Sequence, residues 1–309
     1  MGAAFEWDRC EPLPIVRDAP GDGGHMNSRA RAADTGAGFS PTQTAHPAGT
    51  APTLTFLVPT YNESECPLFQ SLTALVRAQS PPHAFEILVI DDSSSEHERQ
   101  VQAAIERVRA ELPGAATIRM LRGPRVGKGA AVRLGALTST GDVVFIVDAD
   151  IPISLQHVKQ FVDLLANGAD IIVPERPLFR NVKLLRRIMS IGLFVIQSTF
   201  VFHGHIFTDT QCGFKAFRGD VLRALANAQI VERGMYDLEY LYMTVQAGLV
   251  IRRVPVEPNP EVRESRINLW NCLRFDPYDI LRMKAHGVMQ RLRGRRLVVK
   301  RTSFFESAV

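Results

Sequence analysis

Leu54-Thr55-Phe56-Leu57-Val58 is an apolar run that breaks off into Pro59-Thr60-Tyr61-Asn62-Glu63, after which Leu68, Leu72, Leu75 and Val76 recur at helical spacing. A short apolar run bounded by polar residues reads as a strand buried on both sides, and apolar residues three or four apart read as one face of a helix. The stretch is therefore strand, loop, helix, and the same alternation continues along the chain. Strands are predicted over residues 85–90, 117–121, 143–147 and 171–173. The helices between them are marked by Val101, Ile105, Val108 and Leu112, then by Val132, Ala136 and Leu137, then by Leu155, Val158, Val162 and Leu165. Repeated βα units predict an α/β fold of Rossmann-like kind, a mostly parallel sheet with helices on both faces.

Ligands of such sheets bind beyond the carboxyl ends of the strands. The tips here are polar: Pro59 to Glu63 after the first strand, Asp91-Asp92-Ser93-Ser94-Ser95 after the second, and Asp148-Ala149-Asp150 after the fourth. Two carboxylates leaving an apolar strand in one tight turn are costly unless compensated, and Mg²⁺ or Mn²⁺ bridging them to a diphosphate would compensate them. The alternative is that the pair caps a helix beginning near Ser154. Other chemistries find no support. The first turn holds no glycine for a dinucleotide fingerprint, Gly123 to Lys128 is one residue short of a phosphate-binding loop, and His203-Gly204-His205 has no further ligands nearby. The four cysteines form no C-x-x-C pair.

Net charge is +4, unevenly spread. Residues 1–52 hold 7 Gly, 10 Ala and 6 Pro with no apolar period, and are expected to be a disordered tail. Residues 252–309 carry 13 basic against 6 acidic groups, a basic extension suited to an anionic surface. Arg176, Arg180, Lys183, Arg186 and Arg187 precede fifteen uncharged residues, 188–202, a pattern suited to a membrane interface or a core helix. With no run of 18 apolar residues and no apolar leader, the protein is expected on the cytoplasmic side, peripheral to a membrane. Nucleic acid is not expected as a partner, because no stacking aromatic platform accompanies the charge.

The strings VPTYNE, IDDSSS, VGKGAAV and VDAD, in this order and spacing, resemble family 2 glycosyltransferases of the GT-A fold over roughly residues 53–255. Asp209-Thr210-Gln211-Cys212-Gly213-Phe214-Lys215 and the Gly127-Lys128-Gly129 turn resemble dolichyl-phosphate and polyprenyl-phosphate hexose synthases, the dolichyl-phosphate glucosyltransferase type above all. The resemblance implies a GT-A domain over 53–260, with a nucleotide-sugar half to 175 and an acceptor half from 176, followed by a basic helical extension over 261–309. It implies that Pro59, Tyr61, Glu63, Asp91, Asp92 and Lys128 cradle the nucleotide-sugar donor, UDP-glucose or GDP-mannose in type, and that Asp148 and Asp150 hold Mg²⁺ or Mn²⁺. Arg176, Arg186 and Ser190 match an acceptor-phosphate site, and Asp150, Asp209, Lys215, Asp237 and Glu239 make up the catalytic set. The expected reaction inverts the anomeric centre and delivers a hexose to a polyprenyl phosphate, with a membrane-embedded partner subunit possible. Rival expectations are a soluble family 2 enzyme with a small-molecule acceptor and a non-catalytic sugar-nucleotide binder. Two departures stand out: Ile151-Pro152 follows the D-x-D where mannose enzymes commonly have glutamine two residues on, and Met235-Tyr236 precedes Asp237 where the glucosyl type usually has tryptophan.

Overall fold

The computed structural model describes residues 52–78, 84–176, 209–257, 259, 269–293, 297 and 299, with side chains left aside at 269–276. The expected tail over residues 1–52 lies outside these residues except for Pro52, and so do Arg186, Ser190 and the uncharged segment 188–202.

Seven strands form one sheet: β1 (Leu54–Thr60), β2 (Phe85–Asp91), β3 (Thr117–Arg122), β4 (Val143–Val147), β5 (Ile171–Glu175), β6 (Phe214–Arg218) and β7 (Ile251–Pro255). The helices are α1 (Glu65–Ala78), α2 (Ser95–Glu111), α3 (Lys128–Thr138), α4 (His157–Ala166), α5 (Gly219–Ala228), α6 (Tyr236–Gln246) and α7 (Leu269–Leu292). Strand order is β3-β2-β1-β4-β6-β5-β7, parallel except where β6 runs antiparallel to both its neighbours. The α/β class with a mostly parallel sheet is thus the fold that the sequence predicts.

Alternate residues of each strand feed two cores. On one face Phe56 stacks on Phe145 at 4.8 Å between centroids, and Phe214 and Phe161 extend the aromatic row. On the other, Leu57, Leu88, Ile146 and Phe217 meet the apolar sides of α3, α5 and α6. Burial on both faces explains why the central strands β1, β2 and β4 read as largely apolar runs.

The direction of β6 positions the site. Because it runs against β4, its first residue, Phe214, pairs with the last residue of β4, Val147. The segment preceding β6 therefore arrives at the rim where the parallel strands end, and the Asp148 amide donates to the Gly213 carbonyl at 2.7 Å. One local expectation is corrected. The helix read as starting near Ser154 begins at His157, and its cap residue Gln156 makes no side-chain capping bond, so Asp148 and Asp150 are not helix caps.

Candidate active site

Register brings the acidic tips together: Thr60 is opposite Asp91, and Asp91 opposite Arg122. Asp91 is fully buried and serves as a hub. Its Oδ1 accepts from the Thr60 and Ser93 hydroxyls at 3.0 and 2.5 Å, and its Oδ2 meets Arg122 at 3.1 Å. Asp92 is held differently, accepting the Arg125 amide at 2.5 Å, and burial pushes its carboxyl upward, with backbone donation from Gly127 opposing. Pro59 is half-buried at the end of β1, Glu63 lies half-buried in the loop beyond it, and Tyr61 stands 66% exposed, a free aromatic face on the rim. Among the described residues, the non-glycine residues at positive φ are Asn62 (51°), Arg125 (59°) and Ile151 (44°), each just past the end of a strand. Such conformations cost energy and persist where surrounding structure enforces them, so strain collects on this rim.

Asp148 and Asp150 leave β4 side by side. Lys128, the first residue of α3, brings its Nζ to 2.5 Å from Asp148 Oδ1, a charge contact by distance whose angles are not those of a directed hydrogen bond. Desolvation opposes the Lys128 charge, but Asp148, Asp237 and Asp150 outweigh it and raise its pKa. The ammonium also lies 5.9 Å from the centre of the Tyr236 ring. Asp150 is exposed, yet partial desolvation and then repulsion from Asp148 push its carboxyl upward, against Lys128 and Arg176.

Two glycines make this arrangement possible. A Cβ on Gly213 would fall within the Asp148 carboxylate, so only glycine lets that side chain lie back on the chain entering β6. Gly127, at φ 152°, sits where a Cβ would come 2.8 Å from the Glu232 carbonyl, which fixes the start of α3 and hence Lys128.

Ile151 carries the strain of the D-x-D turn, since a buried β-branched residue at φ 44° is a costly conformation. Asn259 pins it, donating from Nδ2 to the Ile151 carbonyl and from its own amide to the Pro152 carbonyl, both at 3.1 Å. Asn259→Ala is expected to lower kcat roughly tenfold or more by letting Asp150 drift, for a stability loss of about 1 kcal/mol. If Asp148 and Asp150 hold a divalent cation, as the sequence leads one to expect, activity should also need more of it. Unchanged kcat and unchanged metal titration would reject this positioning role.

The remaining expected catalytic residues separate into distinct environments. Lys215 and Asp237 form a buried ion pair at 2.8 Å, and Lys215 Nζ also donates to the Cys212 carbonyl at 2.7 Å. Burial pushes Asp237 upward while Lys215 and Lys128 pull it down. Glu239 accepts the amides of Ile230 and Val231 at 2.9 Å on its two oxygens, which makes it a brace for the loop that packs on α3. Arg176 reaches Asp209 through Nε at 2.6 Å and Nη2 at 3.3 Å. Burial disfavours the Arg176 charge, yet hydrogen bonding to Asp209 raises its pKa, while burial pushes the neighbouring Cys212 thiol up to about 11. Gln229 was not legible as a site residue: its amide donates to the Gly129 and Val231 carbonyls at 2.8 and 2.6 Å and accepts from the Tyr240 hydroxyl, tying α6 to the turn that bears Lys128.

The parallel strands ending in paired carboxylates, with one antiparallel strand delivering a glycine beneath them, define an α/β enzyme fold of the GT-A type. The same architecture occurs in glucosyl-3-phosphoglycerate synthase from Mycobacterium tuberculosis in complex with Mg²⁺ and uridine-diphosphate, at a TM-score of 0.54 and 16% identity over 77% of this chain and 79% of that one. The chain belongs to glycosyl transferase family 2, whose model matches residues 55–225. It is 29% identical over 237 residues to Dolichyl-phosphate beta-glucosyltransferase ALG5C of Trichomonas vaginalis, covering 72% of this chain and 68% of the relative. It is also 27% identical over 177 residues to the undecaprenyl-phosphate 4-deoxy-4-formamido-L-arabinose transferase of Sodalis glossinidius, covering 56% and 51%.

Proposed function

We propose that this family 2 glycosyltransferase is a divalent-cation-dependent, inverting enzyme that moves a hexose from a nucleotide-diphosphate sugar to a polyprenyl or dolichyl phosphate. The observation that carries the reading is the juxtaposition of Asp148, Asp150 and Lys128 at the rim. Relatives named for dolichyl-phosphate and undecaprenyl-phosphate transfer support the acceptor class.

The residues present suit Mg²⁺ or Mn²⁺. Among the described residues no three His, Cys, Asp or Glu side chains gather as a protein-only cage, but Mg²⁺ is commonly held by one or two carboxylates plus substrate phosphates. Asp148 and Asp150 would be its ligands, and the bound ion would offset charge on the departing diphosphate. A structure of the same fold in complex with Mg²⁺ and uridine-diphosphate supports a divalent cation as the ion a site of this kind would take. Tyr61 offers its exposed ring to the base, with Pro59, Glu63 and Asp92 around it, Asp91 stiffens that wall from within, and Lys128 faces the diphosphate. Asp209 takes the Nε–Nη2 edge of the Arg176 guanidinium and so fixes its orientation, with the opposite edge as the part offered to an acceptor phosphate. A phosphate monoester with a second pKa of about 6 is largely ionised at neutral pH, so its oxygen needs no strong protein base to attack. The buried Lys215–Asp237 pair and Glu239 then act by holding the site's shape.

The GT-A domain over 53–260 would perform this reaction, with 261–309 as a basic extension. No helix among the described residues is long and apolar enough to cross a membrane, and a peripheral seat on the cytoplasmic face, alone or beside a membrane-embedded partner, fits the reading.

Incubation with UDP-glucose or GDP-mannose, Mn²⁺ and polyprenyl phosphate in detergent is expected to give a lipid-linked hexose and free nucleotide in equal amounts. Transfer to small acceptors with none to the lipid, or donor binding with no transfer at all, would overturn the proposal.

A further inference from the structure

Five of the large apolar side chains most open to solvent among the described residues lie on one helix. Tyr278, Leu281, Val288, Met289 and Leu292 of α7 are between 49% and 83% exposed. At about 100° per residue they fall with Ala285 within an arc of about 100°. The opposite side of α7 is taken up by the protein: Asp279 and Met283 are buried, and Gly287 lies against the Tyr242 ring, where a Cβ would meet the hydroxyl at 2.6 Å. The helix is thus seated by one face and bare on the other.

The charges are arranged around that bare arc. Arg282 and Arg293 border it on one side and Lys284 and Arg291 on the other, while the one acid described on this part of the helix, Asp279, is on the seated face. An apolar stripe bordered on both sides by cations is the pattern of a helix lying in a membrane interface, its apolar arc among acyl chains and its cations at anionic headgroups. The helix is also close to the site. Asp279 is under the electrostatic influence of Arg233 and Glu232, and the Glu232 carbonyl accepts the Ala130 amide at 2.9 Å in the turn that bears Lys128.

We infer that α7 is a membrane-docking face that lays Tyr278, Leu281, Val288, Met289 and Leu292 into an anionic bilayer. This inference rests on the lipid-phosphate acceptor proposed above, which gives the enzyme a reason to work on a bilayer.

Co-sedimentation of the full chain, without substrate, with vesicles of phosphatidylcholine and phosphatidylglycerol tests it. The wild-type chain should bind, more weakly as salt rises, and little to phosphatidylcholine alone. Leu281→Glu combined with Leu292→Glu should lower the partition coefficient about tenfold or more. Arg291→Glu combined with Arg293→Glu should lower it on the anionic vesicles and remove most of the salt dependence. Leu137→Glu, at an exposed apolar position on α3 away from the stripe, should leave binding unchanged, and circular dichroism should show all variants folded. Equal vesicle binding by wild type and the α7 variants overturns the inference. So does a wild-type chain that ignores anionic vesicles but forms a dimer that Leu281→Glu abolishes. Turnover on a water-soluble short-chain prenyl phosphate separates the two readings. Vesicle binding through α7 with no transfer to any prenyl phosphate sinks the acceptor assignment and leaves the docking face. Transfer to the short-chain acceptor with vesicle binding indifferent to α7 does the reverse.

Discussion

Asp150→Asn is expected to lower kcat by about two to three orders of magnitude while leaving the melting temperature close to wild type. The side chain is exposed and leaves the strand rather than packing within it, so asparagine keeps the volume and removes only the charge. That charge is disfavoured by partial desolvation and then by repulsion from the neighbouring Asp148 carboxylate, which together raise its pKa. A divalent cation relieves that repulsion, which is why the loss should appear in metal affinity and in turnover together. Asp148→Asn should act similarly and also free Lys128 from its 2.5 Å contact. Steady-state kinetics across a Mn²⁺ titration, with a parallel thermal melt, is the measurement. Wild-type turnover of Asp150→Asn, or full activity of the native chain in excess EDTA, would reject the metal assignment.

The largest stability effect is expected at Lys215. Its ammonium and the Asp237 carboxylate are 2% and 7% exposed, so neither charge has water to fall back on. Lys215→Ala strands a buried carboxylate and opens a cavity, and removal of one partner of such a pair costs about 3–5 kcal/mol. For a domain of this size that corresponds to a drop in melting temperature of roughly 10 °C. The pH dependence follows from the raised Asp237 pKa. A carboxyl whose folded pKa lies above its unfolded value loses stability as pH climbs past the unfolded value, and without Lys215 that rise is larger. The deficit of Lys215→Ala should therefore be greatest at neutral pH and shrink in mildly acidic solution. Asp237→Asn added to Lys215→Ala should recover part of the loss, and denaturation of the four chains in this cycle decides it. A single variant as stable as wild type would show that the pair does not hold α6 to β6.

Much of the sheet is legible in the sequence because its central strands are buried on both faces, so 56–58, 87–90 and 143–147 appear as unbroken apolar runs. β6 is not legible in that way. Lys215 and Arg218 interrupt its pattern, and they are tolerated only because Asp237 and Asp220 lie within ion-pair distance. The donor-side tips could be listed from sequence, whereas their partnerships could not. Asp91 reads as a ligand-facing acid but spends both oxygens on Thr60, Ser93 and Arg122. Asn259, 108 residues from the Ile151 carbonyl it supports, carries no local signal at all. The start of α4 was misplaced by three residues because Leu155 fits the helical period while lying in the turn before it.

The reversed direction of β6 also has a consequence for how the chain is made. β1 to β4 can pair among themselves as soon as they leave the ribosome, but the outer edge of β4 waits for Phe214–Arg218, which is 67 residues beyond Val147. At about 5–20 residues per second, that edge stays open for roughly 3–13 s of synthesis. Val143–Val147 is uninterrupted apolar strand, the kind of edge that pairs with other chains when left bare. Nascent chains stalled in this window are expected to aggregate more readily than longer ones, and the arrival of β6 both covers the β4 edge and lays Gly213 beneath Asp148, so one strand protects the sheet and seats the first of the paired carboxylates.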